Sequence, residues 1–197
     1  HSQVKNLVNR VNTVYNDTIL NRIYSNVVTG RSTGVDVGME LYPANWWKFF
    51  AGFNTYYYSI NGEFDDRPIN NSSWVYSFNL TSSFEIAPTV SMQASFNYLS
   101  KRVTAQGKDG RFYNPNLSVK KSWLEGRLTA ILLWQNIDMG LLKGNEQRIT
   151  TFRQGEFFTT TNYIYEVDVI VLNLSYSINS SKNKAKFVKS EFGEKEF

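Results

Sequence analysis

From Trp74 to Ile86 the chain alternates with period two. Trp74, Tyr76, Phe78, Leu80, Phe84 and Ile86 fill even positions, interrupted only by Ser82, while Val75, Ser77, Asn79, Thr81, Ser83 and Glu85 fill the odd ones. Successive side chains of an extended strand point to opposite faces, so this spacing predicts a two-faced β-strand. After Ala87-Pro88 the pattern resumes, with Val90, Met92, Ala94, Phe96 and Tyr98 set against Ser91, Gln93, Ser95 and Asn97. Two such runs joined by a minimal turn predict a hairpin.

The same alternation recurs along the chain. Val35, Val37, Met39 and Leu41 oppose Asp36, Gly38, Glu40 and Tyr42. Pro43-Ala44-Asn45 then breaks the strand, and Trp47, Phe49, Ala51, Phe53, Thr55 and Tyr57 begin the next apolar set. Ile170, Leu172, Leu174, Tyr176 and Ile178 alternate with Val171, Asn173, Ser175 and Ser177. Further strands are predicted over Phe112–Lys121 and Arg127–Ile137, with a weakly alternating first strand, Gln3–Tyr15, and a turn at Asn16-Asp17-Thr18. The breaks at Pro43, Pro88 and Glu125-Gly126 are short. Those at Asn61–Ser73, Thr104–Gly110 and Asp138–Thr161 read as long loops, with Gln147–Arg153 as a possible strand extension. Short turns at one end and long loops at the other are the habit of an outer-membrane barrel, which predicts periplasmic turns and extracellular loops.

The polar face decides between lipid and water. Ser77, Asn79, Thr81, Ser83, Ser91, Gln93, Ser95 and Asn97 are small and uncharged. A strand face in bulk water collects Lys and Glu, whereas uncharged polar side chains suit a hydrated lumen. These eight are the expected lumen-facing residues. Trp47, Phe49, Phe53, Trp74, Tyr76, Phe78, Leu80, Phe84, Val90, Met92, Phe96, Leu172, Leu174 and Tyr176 are the expected lipid-facing ones. Trp46, Trp47 and Tyr56 to Tyr58 are expected at the two ends of the apolar face, because amphipathic rings favour the headgroup zone. The expected fold is therefore all-β, an antiparallel up-and-down transmembrane β-barrel segment of about eight strands over residues 1–179, with a polar tail over 180–197.

Composition narrows the chemistry. Aromatics make up 16% of the chain and charged residues only 19%, and no run of about 18 apolar residues exists for a membrane helix. There are no cysteines and a single histidine, His1, so thiolate sites, disulfides, catalytic triads and multi-histidine metal sites cannot be assembled from this chain. No catalytic, metal or cofactor site is expected, and the chain reads as not an enzyme. The net charge is +4; in the tail, Lys182, Lys184, Lys186, Lys189 and Lys195 face Glu191, Glu194 and Glu196, a solvated end rather than a nucleic-acid surface. Asp65-Asp66-Arg67 reads as a solvated loop tip, and Lys101-Arg102 and Lys108–Arg111 as solvated flanks of another loop. Asp36, Glu40 and Glu85 are the few acids on the inward faces, and Gly30-x-x-x-Gly34 lacks the Lys and helix of a phosphate loop.

Several stretches resemble the C-terminal part of TonB-dependent outer-membrane receptors, in particular the Bacteroidetes-type outer membrane protein β-barrel family. They are Asn26-Val27-Val28-Thr29-Gly30-Arg31-Ser32-Thr33-Gly34-Val35-Asp36, then Trp46-Trp47, and finally Leu172-Asn173-Leu174-Ser175-Tyr176-Ser177-Ile178. The resemblance implies a bacterial outer-membrane location, lipid as a partner, and a place in the final third of a transporter barrel of about twenty-two strands. The remaining strands and the plug would then come from a missing N-terminal part or another chain. No leader is visible at His1-Ser2-Gln3, so a mature protein and a piece of a longer one are both open. The alternatives are a self-contained eight-stranded barrel with a structural or adhesion role and a soluble β-rich binding domain. Pairing of the first strand with the last separates these: a closed small barrel requires it, and the weak patterning of Gln3–Tyr15 favours the larger assembly.

Overall fold

The computed structural model of the chain describes residues 1–15, 19–141 and 146–178. The described residues form β1 (Ser2–Tyr15), β2 (Ile19–Ala44), β3 (Trp47–Phe64), β4 (Arg67–Ala87), β5 (Val90–Leu99), β6 (Arg102–Thr104), β7 (Gly107–Asp109), β8 (Phe112–Trp123), β9 (Leu128–Gln135), β10 (Glu146–Arg153), β11 (Phe157–Ile164) and β12 (Val169–Tyr176). Eight of them make one antiparallel sheet in the order β1-β2-β3-β4-β5-β8-β9-β12. This is an up-and-down wall, and it is open: β1 and β12 are its two edges and do not pair with each other. The turn expected at Asn16-Asp17-Thr18 and the tail over 180–197 lie outside the described residues.

The short turns lie where the pattern predicts. Ala44 pairs with Trp47 across Asn45-Trp46, and Ala87 pairs with Val90 across Pro88-Thr89. The third turn carries positive φ at Leu124 (55°), Glu125 (56°) and Gly126 (87°), closed by Gly126 N–H donating to the Trp123 carbonyl at 3.1 Å. Glycine meets that conformation without the Cβ clash that penalises other residues.

The three long loops are corrected. Asn61–Ser73 is not a loop: β3 and β4 stay paired from Trp47↔Phe84 out to Phe64↔Arg67. They turn on Asp65 (φ 58°) and Asp66 (φ 55°), the two consecutive left-handed residues of a tight hairpin turn. The wall therefore projects well beyond the 9–11 residues that a tilted spanning strand needs, reaching 26 residues in β2 and 21 in β4. Thr104–Gly110 falls largely in the β6–β7 hairpin, and Asp138–Thr161 contains β10 and most of β11, with the strand suspected over Gln147–Arg153 present as β10. These two hairpins pair with each other in a second, four-stranded sheet of order β11-β10-β7-β6. A loop polar on both sides carries no alternation, so its strands are invisible to a period-two reading.

The buried core is small and lies where that second sheet meets the wall. Val11, Val28, Ile60, Ile69 and Ala105 form it, with Leu7, Tyr58 and Phe64 packed against it. Close approach is demanded at Gly34, where a Cβ would collide with the Thr55 carbonyl and with Tyr56. That glycine lets β2 and β3 run together beneath the capped region.

Candidate functional site: two faces and a capped end

The register divides the wall into two faces. Val37, Phe53, Phe78 and Tyr98 stand in one cross-strand row, and Trp47, Phe84, Met92, Val119, Leu132 and Leu172 in another. Followed strand by strand, all fourteen residues from Trp47 to Tyr176 expected to face lipid share this aromatic face. Ser77, Asn79, Thr81, Ser83, Ser91, Gln93, Ser95 and Asn97 share the opposite, polar face. One expectation fails here: of Tyr56 to Tyr58, only Tyr57 lies on the aromatic face. Tyr56 and Tyr58 pair with Gly34 and Ser32 on the polar side and meet edge to face at 6.4 Å.

Rings gather at both ends of the aromatic face. At the short-turn end Trp46 and Trp47 stack at 6.3 Å and Trp47 on Phe84 at 5.9 Å. Ser82, the odd polar residue of an apolar set, accepts the Trp47 indole N–H at 2.8 Å. Lys121 sits over the Trp123 ring at 5.9 Å and donates to Thr89 Oγ1 at 2.8 Å, a cation held at the end of an apolar surface. At the other end Tyr57 meets Trp74 at 5.6 Å, and Tyr76 stacks on Tyr98 at 5.9 Å. Trp47 and Tyr57 are ten positions apart on β3. At roughly 3.3 Å per residue that is about 33 Å of strand, and a barrel tilt of about 40° reduces it to about 25 Å, the height of the apolar band of an outer-membrane barrel.

The polar face is hydrogen-bonded rather than charged in its middle. Asn116 Nδ2 donates to Ser95 Oγ at 3.4 Å, and Asn136 N–H to Asn116 Oδ1 at 3.1 Å. Of the inward acids, Glu40 pairs with Lys48 across the first short turn. On the last two strands this face turns apolar, with Ile131, Leu133 and Val171 in one row or its neighbour.

Above the polar band, the β6–β7 hairpin folds in over the projecting parts of β1, β3 and β4. Ser73 Oγ accepts the Val103 N–H at 3.2 Å, and Asn71 Nδ2 donates to the carbonyls of Thr104 (2.9 Å) and Ala105 (3.2 Å). Gln106, at the hairpin tip, is bonded twice to the backbone of Asn12. The tips of the two projecting hairpins are joined by charge. Arg153 donates to Asp65 at 2.7 Å and to Glu156 at 3.0 Å, and Arg67 donates to Glu156 at 2.5 Å. Burial disfavours the Arg153 charge, but the Glu156 and Asp65 carboxylates outweigh it and hold the guanidinium above its usual range. Arg102 is held up in the same way by Asp109, against its own burial. Asp65-Asp66-Arg67 is thus not a freely solvated tip, since Asp65 and Arg67 are both tied to the neighbouring hairpin.

A sequence profile of an outer membrane protein beta-barrel family matches residues 1–176, the whole described wall from β1 to β12. The chain belongs to that outer membrane protein beta-barrel family. It is accordingly a protein of the bacterial outer membrane, all-β and antiparallel, with an eight-stranded wall that is open among the described residues. No curated protein and no solved structure matches the barrel chain.

Sequence reasoning missed the cap. Its signal was present in the polar face itself: Val28, Ile60 and Ile69 stand at inward positions of β2, β3 and β4, where the lower wall carries Ser, Asn and Gly. Apolar side chains at the hydrated end of such a face require a cover.

Proposed function

We propose that this chain is the C-terminal wall of a TonB-dependent outer-membrane transporter, contributing strands and extracellular loops while other strands and a plug complete the barrel. The aromatic face meets lipid, the polar face lines the lumen, and the short turns are periplasmic. The observation that carries this reading is the pair of edges, β1 and β12, each paired on one side only among the described residues of an otherwise continuous wall. In hydrocarbon each unpaired backbone group costs several kcal/mol, so the edges call for further strands. The inward-folded cap at the long-hairpin end supports a guarded solute path. The resemblance of the Asn26–Asp36 and Leu172–Ile178 segments to TonB-dependent receptors supplies the specific class.

Disulfide scanning in native outer membranes tests it. Single cysteines at Val8 in β1 and at Leu172 or Leu174 in β12 are combined and oxidised. The expected outcome is no cross-link between them, with solute uptake by the complete protein that stops when the proton gradient is collapsed. Efficient β1–β12 cross-linking within one chain would replace this reading by the self-contained small barrel.

A further inference from the structure

Between the β3–β4 tip and the cap lies a cavity of 440 Å³, a size suited to a small-molecule ligand. It opens on the polar-face side, since Ile69 and Asn71 of that face line it together with Val103 and Ala105 of the cap. One wall is apolar, built from Phe64, Ile69 and Phe152. Phe152 is half exposed, at 50%, and so leaves ring surface open to a ligand.

The charges around the cavity determine what fits. Arg67, Lys108 and Arg153 line it. Arg67 and Arg153 are neutralised by Glu156 and Asp65, and Arg153 is further held over the Phe64 ring at 5.4 Å. Those two are posts of the cavity wall, already satisfied. Lys108 is different, with no carboxylate partner among the described residues. Three cations against two carboxylates leave, among the described residues, the exposed Lys108 ammonium as the one free charge at the rim of a half-apolar hollow. A solute with one acidic group matches that single cation while its apolar part covers the hollow, whereas a neutral solute forgoes the charge-assisted contact. We propose that the cavity binds a small amphipathic monoanion, with its apolar body against Phe64, Ile69 and Phe152 and its single acidic group on Lys108. The site does not depend on transport, because it lies between the cap and the projecting ends of β3 and β4, and its ligand need not be carried inward.

The test uses the complete protein purified from outer membranes in detergent, with naphthalene-2-carboxylate as the probe and the neutral naphthalene-2-carboxamide as its match. Binding is followed by equilibrium dialysis. The carboxylate is expected to bind saturably, and Lys108→Gln to weaken it by about tenfold, the ordinary worth of one charge-assisted hydrogen bond. The same variant leaves the carboxamide unchanged. Phe152→Ser weakens both probes, and Lys101→Gln weakens neither. Lys108 is an exposed side chain, so its replacement leaves the fold intact, which the heat-modifiable mobility of the barrel on gels verifies. No saturable binding of the carboxylate, equal affinity for the two probes, or an unaffected Lys108→Gln variant would each overturn the proposal. Loss of uptake with this binding intact would count against the transporter reading alone.

Discussion

Gln106 closes on the backbone of Asn12 with both ends of its amide: Asn12 N–H donates to Oε1 at 2.6 Å, and Nε2 donates to the Asn12 carbonyl at 3.0 Å. The pair reproduces the two bonds of a β-ladder with a side chain in place of a strand. It binds the cap to the strand at the opposite side of the projecting wall. Asn12 is only 2% exposed, so no water stands ready to replace the lost partners. Replacing Gln106 by Ala is therefore expected to cost about 1–3 kcal/mol, the usual penalty for leaving buried backbone groups unsatisfied. Limited proteolysis at the β6–β7 hairpin reads this out, with faster cleavage in the variant and an unchanged membrane-embedded wall. Cleavage at the wild-type rate would show that the clasp holds nothing.

The aromatic and polar faces should differ sharply in their tolerance of charge. Phe78 meets Phe53 in a tilted ring contact at 5.0 Å in the middle of the aromatic face, while its neighbour Asn79 lies on the other face between Gly52 and Asn97. Phe78→Arg is expected to destabilise assembly in a bilayer by about 2–4 kcal/mol, with Asn79→Arg far milder. Folding into vesicles under denaturant titration measures both. Equal costs would remove lipid from the aromatic face.

Orientation has a direct check. Asp66 lies at the tip of the β3–β4 hairpin and Asn45 in the β2–β3 turn at the opposite end of the wall, and both are exposed. With a cysteine at Asp66, intact cells should react with a membrane-impermeant maleimide. With one at Asn45 they should react only after the outer membrane is opened. The reverse pattern would turn the wall upside down.

Gly34 supplies a prediction about the wall itself. Because a Cβ there runs into backbone and Cβ atoms of β3 rather than into a mobile side-chain end, the strands must part to accept one. Gly34→Val is expected to cost at least about 2 kcal/mol, the scale of overpacking in an interior that cannot relax. Gly38, whose added Cβ would meet only the edge of the Phe50 ring at 3.8 Å, is expected to tolerate alanine. Thermal unfolding of both variants, followed by gel mobility, distinguishes the two sites.

How far the structure was legible in the sequence follows from where water touches it. Across the band from Trp47 to Tyr57 one side of each strand is apolar and the other polar, so alternation marks both the strands and their faces. Beyond Ile60 neither side is uniformly apolar, and one of them packs against the cap. Asn61-Gly62-Glu63 opposite Ile69-Asn70 carries no such alternation, although the ladder continues unbroken. Asp65-Asp66 turned out to be a turn pair rather than a loop fragment, a chemistry that acidic residues share with solvated tips. Tyr56 and Tyr58 stand on the polar side because parity from Phe53 sets the face of each position, whatever the ring chemistry favours. The pairing of β7 with β10 joins segments with no common pattern, and only the apolar inward positions Val28, Ile60 and Ile69 hinted at it.

The clasp between Asn12 and Gln106 joins residues 94 positions apart, whereas the hairpins of the wall zip between neighbours. Closing a contact over so long a stretch of chain carries an entropic penalty that local pairing does not, and non-local topology slows folding for the same reason. Folding of this chain is therefore expected to separate into two kinetic events: early zippering of β2 to β5, and a late step in which the finished β6–β7 hairpin swings over and finds β1. Until that step, Val11, Val28, Ile60 and Ile69 stand bare, and the interval is when the chain is most exposed to misassociation.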